Sequence, residues 1–367
     1  LIGYFFSIVL IFAIACVVLN AVPTDPTEVA IENFGKNLLQ TQNTVGFVVG
    51  VIKNGKEYKS YFGSVRKGYA EAPDGKTIFQ LASLTKIFTA DLLAKAVNHS
   101  LVRLDDPASQ YLPGLSMPRS SVPITLLDLA THSSGLPRAP KARGTSTTLQ
   151  EMNEQMGTTK LRFQPGNGYL YSNYAFGILS EALANAYGAR NWQAAVENEV
   201  IRPIGMTDTV VNLNADQRSR LAQGYDRSGS ETNWVNPAFP AVNGSGALHS
   251  DLDDMMKYLK YMINAGNPRN PDVDLMTQPY KPMPTAGNDM GLAWQVNTFK
   301  DGRRFVSKDG ALRGFVSFIC FVKGGDVGLV FLANSRFPCA NPCKKLLAKL
   351  ENLPNLPEGE GDGGDGG

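Results

Sequence analysis

The stretch Val45-Gly46-Phe47-Val48-Val49-Gly50-Val51-Ile52-Lys53-Asn54-Gly55-Lys56-Glu57-Tyr58-Lys59-Ser60-Tyr61-Phe62-Gly63 sets the architecture. Val45 to Ile52 is apolar and rich in β-branched residues, and Glu57 to Gly63 forms a second run. Asn54-Gly55 stands between them. A two-residue loop that matches the twist of its flanking strands needs positive φ at both positions, and Asn-Gly meets that need. An antiparallel hairpin is therefore predicted. Two more hairpins are predicted near the far end. Ala293 to Phe299 and Arg303 to Ser307 flank Asp301-Gly302, and Phe315 to Val322 and Val327 to Ala333 flank Gly324-Gly325. Lys344 to Leu350 reads as a closing helix.

The middle of the chain has a different period. Leu84, Ile87, Phe88, Leu92, Leu93, Ala96 and Val97 recur at helical spacing. Ile124 to Thr131, Tyr174 to Tyr187, Trp192 to Val200 and Leu252 to Ile263 also read as helices, with Pro and Gly between them. The pattern predicts an α+β fold. An antiparallel sheet comes from residues 44–82 and 290–352, and a helical lobe from 83–265, within one domain over 24–352. A substrate cleft is expected between sheet and lobe.

The composition narrows the function. The 367 residues are 43% hydrophobic and 19% charged, enough apolar surface for a sizeable core. Lys plus Arg number 35 against 33 Asp plus Glu, a net charge of +2, so no basic excess exists to grip nucleic acid. The three histidines, His99, His132 and His249, lack metal-ligand spacing. Neither a metal nor a cofactor is expected.

Three short motifs carry chemistry. In Ser83-Leu84-Thr85-Lys86, residues three apart share a helix face, so Lys86 sits beside the Ser83 hydroxyl and can take its proton. The same pattern at Ser64-Val65-Arg66-Lys67 has no apolar helix attached and reads as a turn. Tyr171-Ser172-Asn173 follows Pro165-Gly166 and precedes a helix. Its phenol can relay a proton and its amide can bind a carbonyl. Lys308-Asp309-Gly310 lies between strands, where a lysine can fix an anion and a glycine lets substrate approach the strand edge. Singly, each motif also describes ordinary structure, such as a capping serine or a strand-end turn.

Taken in order, these motifs resemble the penicillin-recognising serine hydrolases: class C β-lactamases, low-molecular-weight DD-peptidases and related esterases. The resemblance extends from Glu32 over most of the chain. It includes Phe79 to Lys86, Leu104-Asp105-Asp106-Pro107 through Tyr111-Leu112-Pro113, and Ile124 to Pro137 with its Thr131-His132-Ser133-Ser134-Gly135-Leu136-Pro137 ending. Pro203-Ile204-Gly205-Met206 and Gly246-Ala247-Leu248-His249-Ser250 are further landmarks. The resemblance implies an acyl-enzyme on Ser83, proton transfer by Lys86 and Tyr171, and an oxyanion hole at the backbone N–H groups of Ser83 and Ala311. It implies substrate contacts by Asn173, Lys308, Asp309, Gly310 and Ala311. Asp128 and His132 belong to a structural landmark rather than a catalytic triad. The implied partners are small-molecule or peptide substrates: β-lactams, D-amino-acid peptides or esters.

One position departs from the family pattern, Asp309 where Thr is usual. At about 4 Å an Asp would repel a substrate carboxylate by roughly 1 to 4 kcal/mol. That favours an esterase or amidase acting on substrates without a carboxylate, unless Asp309 pairs with Arg313 or Lys308. A catalytically inactive binding relative is a third reading, disfavoured by the intact Ser83, Lys86 and Tyr171.

The ends differ from the rest. Residues 1–23 carry no charge and read as a signal peptide or a membrane anchor centred on 1–19, which implies a periplasmic or extracellular enzyme. Residues 353–367 end in Gly, Glu and Asp alone and read as a flexible tail. Of the cysteines beyond that start, Cys320 reads as core, and the spacing of Cys339 and Cys343 hints at a local bridge.

Overall fold

The computed structural model describes residues 25–140, 149–232, 242–263, 270–285 and 287–353. The apolar start of the chain and the acidic tail lie outside these residues. Eight strands make the main sheet: β1 (Gly46–Lys53), β2 (Lys56–Gly63), β3 (Lys281–Pro282), β4 (Asp289–Met290), β5 (Gln295–Thr298), β6 (Arg304–Leu312), β7 (Phe315–Lys323) and β8 (Val327–Ala333). Their order is β2-β1-β8-β7-β6-β5-β4-β3, antiparallel throughout. Asn54 and Gly55 turn the first hairpin at φ of 51° and 73°, both left-handed. The two ends of the chain meet where β1 pairs with β8, from Phe47 opposite Ala333 to Lys53 opposite Val327.

The sheet reaches further back than residue 290. β3 and β4 are two residues each, and Pro282 interrupts any apolar run, so no periodicity announces them. Another element without a prior expectation is α1 (Pro26–Thr41), capped by Asp25, whose carboxylate accepts the Thr27 N–H at 2.8 Å. Further helices are α2 (Thr85–Asn98), α3 (Leu126–Ala130), α4 (Asn173–Ala186), α5 (Trp192–Val196), α6 (Asn243–Gly246), α7 (Leu252–Ile263), α8 (Pro271–Met276) and α9 (Ala340–Glu351).

Two apolar cores lie on the two faces of the sheet, an outer core beneath α1 and α9 and an inner core beneath α7. On one face α1 and α9 cover Phe47, Val49, Phe318, Cys320 and Phe331. On the other, α7 lies across β1, β7 and β8, and its core runs on into α2, α4 and α5. Side chains alternate along a strand, so β7 feeds both cores and is buried from Phe315 to Val322. Cys320, Cys339 and Cys343 are buried, unbridged thiols. The bridge suggested by the spacing of Cys339 and Cys343 does not form. Cys339 precedes α9 and Cys343 lies inside it, and both pack into the outer core. Among the described residues no helix is long and apolar enough to cross a membrane.

Candidate active site

Ser83 lies in a tight turn, Ala82–Leu84, that runs directly into α2. The residue before it, Ala82, takes φ of 48°, a left-handed conformation that disfavours a side chain. The surroundings hold it there. The Ser317 hydroxyl donates to the Leu81 carbonyl at 2.7 Å. Gly310 of β6 closes against the same turn: a Cβ there would stand 2.5 Å from both Leu81 O and Ser317 Oγ. β5 pairs with β6 only from Arg304 to Ser307, so the Lys308–Leu312 edge is left to meet the Ser83 turn.

Lys86 is fully buried one turn along α2. Its ammonium donates to Ser83 Oγ at 3.2 Å, Asn173 Oδ1 at 2.8 Å and the Ser245 carbonyl at 2.7 Å. Thr89, further along α2, donates to the Gly244 carbonyl at 2.7 Å. The α6 segment is thus tied twice to the nucleophile helix. The Tyr171 hydroxyl lies 2.7 Å from Ser83 Oγ, so the serine has a proton-transfer partner on two sides.

Tyr171 is held in place by Ser172 and by His132. Ser172 caps α4, its hydroxyl accepting the Ala175 N–H at 2.9 Å and donating to the Pro137 carbonyl at 2.7 Å. His132 lies behind the phenol with ring centroids 4.4 Å apart, and its Nδ1 accepts the Ser172 N–H at 3.1 Å. Burial, with Lys86, Lys308 and Arg138 nearby, pushes the His132 imidazole well below its ordinary range, so it is neutral at physiological pH. Asp128 serves its own helix: with Thr125 it forms the capping box of α3. Three cations flank the Tyr171 ring: Lys86 at 4.9 Å, Arg138 at 5.0 Å and Lys308 at 5.5 Å from its centroid.

Lys308 is nearly buried, opposite Ile319 of the inner core, while Asp309 lies opposite Phe318 of the outer core. Of the placements open to Asp309, the structure has the pairing with Lys308. The ammonium donates to the Asp309 carbonyl at 2.8 Å and lies 3.3 Å from its carboxylate. The Asp309 charge also acts on Lys344 of α9. Burial lowers the Lys344 ammonium below the usual lysine range, and Asp309 opposes that shift. Ala311 follows on the same edge of β6, beyond Gly310.

Ser83, Lys86, Tyr171 and Asn173 thus converge, and Lys308 and Gly310 border them. Sequence reasoning did not single out Ser245, Arg138, Ser317 or Lys344. Ser245 acts through a backbone carbonyl, which leaves no residue signature beyond the Gly244-Ser245-Gly246 frame. Arg138 directly follows the Leu136-Pro137 landmark, where adjacency was the only signal. Among the described residues no group of three His, Cys, Asp or Glu side chains is placed to hold a metal ion.

Comparisons with known proteins agree on one family. A family model described as Beta-lactamase matches residues 31–351. The chain is 30% identical over 357 residues to AmpH of Escherichia coli (strain K12), a D-alanyl-D-alanine-carboxypeptidase/endopeptidase, covering 91% of each chain. It is 29% identical over 349 residues to a beta-lactamase of Pseudomonas fluorescens, covering 86% of this chain and 96% of that one. A solved class C beta-lactamase mutant superposes with a TM-score of 0.79 at 21% identity, covering 89% of this chain and 97% of the other. The chain therefore belongs to the beta-lactamase family and is a serine hydrolase of that fold.

Proposed function

We propose that this enzyme transfers the acyl group of a D-Ala-D-Ala-type peptide or a β-lactam to Ser83 and then to water. The observation that carries the reading is the pair of contacts on Ser83 Oγ, from Lys86 at 3.2 Å and Tyr171 at 2.7 Å. With Tyr171 reacting as the phenolate beside the Lys86 ammonium, Ser83 Oγ attacks the carbonyl carbon as its proton passes to the phenolate oxygen. The backbone N–H groups of Ser83 and Ala311 hold the oxyanion. The C–N bond breaks, and the leaving nitrogen takes the proton from Tyr171. Water, deprotonated by Tyr171, then cleaves the ester and returns a proton to Ser83. The cations around the phenol stabilise negative charge on its oxygen during both transfers. Asn173 gives its Oδ1 to Lys86, which leaves its amide N–H groups for a substrate carbonyl. The likeness to AmpH supports a peptide substrate. Residues 1–23 supply an export signal or anchor.

Fluorescent penicillin tests this reading. Wild type is expected to be labelled and Ser83→Ala unlabelled; equal labelling of both would sink it. Asp309 favours a second reading, hydrolysis of esters or amides that lack a carboxylate, because it engages the lysine that would otherwise meet one. Short-chain ester turnover that depends on Ser83, with no penicillin labelling, would select that reading.

A further inference from the structure

Lys308 is the cation of the Lys308-Asp309-Gly310 edge, yet its ammonium is spoken for by the carbonyl and carboxylate of Asp309. A second cation borders the same phenol. The Arg138 side chain is exposed, with its guanidinium carbon 5.0 Å from the centroid of the Tyr171 ring. The backbone that carries it is fastened at two points to the Tyr171-Ser172-Asn173 motif and at a third to Tyr174 beside it. The Arg138 carbonyl accepts the N–H of Asn173 at 2.8 Å and of Tyr174 at 3.3 Å, and the Pro137 carbonyl accepts the Ser172 hydroxyl at 2.7 Å. Arg138 is therefore set by the same residues that set the proton donor.

We propose that Arg138 binds the carboxylate on the leaving side of the scissile bond, a specificity role resting on the acyl-transfer reading above. Two lines of chemistry meet here. Tyr171 hands its proton to the leaving nitrogen, and the carboxylate of a C-terminal amino acid lies two bonds beyond that nitrogen. A group stacked on Tyr171 borders the place where that carboxylate falls. A guanidinium also offers two parallel N–H donors to a carboxylate, and its flat face stays on the ring while its edge binds. The substrate class is an acyl compound whose leaving part ends in a free carboxylate. Arg138 thereby performs a task from which Asp309 withdraws Lys308.

Binding to Ser83→Ala protein, which cannot turn substrate over, provides the test. The probes are N-acetyl-D-alanyl-D-alanine and its C-terminal carboxamide, titrated by calorimetry. Adding Arg138→Gln is expected to weaken the acid at least tenfold and to leave the carboxamide within about twofold, with Arg138→Lys in between for the acid. Affinity for the acid is expected to fall with salt only while Arg138 is present. No measurable binding of the acid with Arg138 intact, equal affinity for the acid with and without Arg138, or equal losses for acid and carboxamide would each overturn the proposal. Penicillin labelling reports separately on the parent reading. Labelling of Ser83 without dependence of the acid on Arg138 removes only this inference. An unlabelled protein that still holds the acid through Arg138 removes only the acyl-transfer step.

Discussion

At the scale of the residue, Asp309 joins two lysines of opposite character. Lys308 borders the reacting groups, and Lys344 lies nearly buried in the outer core, where the Asp309 charge favours its protonated form. Removing the carboxylate acts on both at once. Asp309→Asn is expected to lower unfolding free energy by about 1–3 kcal/mol, because a buried charge loses its counter-charge. The same variant frees Lys308, so kcat/KM for a carboxylate-bearing substrate should rise several-fold against its neutral analogue. Denaturant titration and paired kinetics check the two effects; unchanged stability would mean that Asp309 does not support Lys344. Spacing alone did not single out Ser83, Lys86 and Tyr171, since Ser64 and Lys67 share it; the order of the three motifs among the family landmarks pointed to them. Lys308 was one of two partners the sequence offered Asp309, but the influence of Asp309 on Lys344 was not legible. Which face of β6 it occupies is fixed by register with β7, and register is a long-range property.

At the scale of the element, α2 carries more than the nucleophile and its lysine. Asp91 lies fully buried on it, 3.8 Å from Lys95, with the Tyr261 hydroxyl donating to its carboxylate at 3.2 Å. Burial pushes the Asp91 carboxyl up to about 7, with Lys95 opposing and Asp272 adding to the shift. The unfolded chain sheds this proton near pH 4 and the folded chain near pH 7, so the group lowers stability as pH rises between those values. The full span is on the order of 4 kcal/mol. Asp91→Asn should therefore gain on wild type steadily from pH 4 to 7 and hold its relative position above. Comparing the two proteins cancels the opposite slope from His249, whose imidazole burial holds down at about 4. Parallel stability curves from pH 4 to 8 would contradict the assignment. The period of α2 was legible because its apolar positions recur at three and four, while α1 escaped notice although Asp25-Pro26 is a sound start signal.

At the scale of the whole molecule, the outer core holds three buried thiols, and burial keeps two of them from ionising. Cys320 and Cys343 are both pushed far above the usual cysteine range, chiefly by burial. Cys320, Cys339 and Cys343 should resist iodoacetamide in the folded protein and react in step with unfolding, and reductant should leave Tm unchanged. Alkylation of any of the three under native conditions, or a Tm that falls with reductant, would contradict this packing. The hairpins of the large sheet were readable because Asn54-Gly55, Asp301-Gly302 and Gly324-Gly325 each punctuate alternating or apolar runs. The neighbours β1 and β8 were not readable as partners, since nothing local in either names the other.

That pairing has a consequence in time. Of the described strands β1 is the first to leave the ribosome and β8 the last, and the sheet has no centre until they meet. Closing so long a loop before its contacts repay the entropy slows folding. The first hairpin must wait, with its apolar run uncovered, for nearly the whole catalytic chain. The turn that carries Ser83 waits with it, because Ser317 and Gly310 arrive from late strands. A half-made chain therefore already contains the nucleophile, the lysine and the tyrosine, yet has no active site.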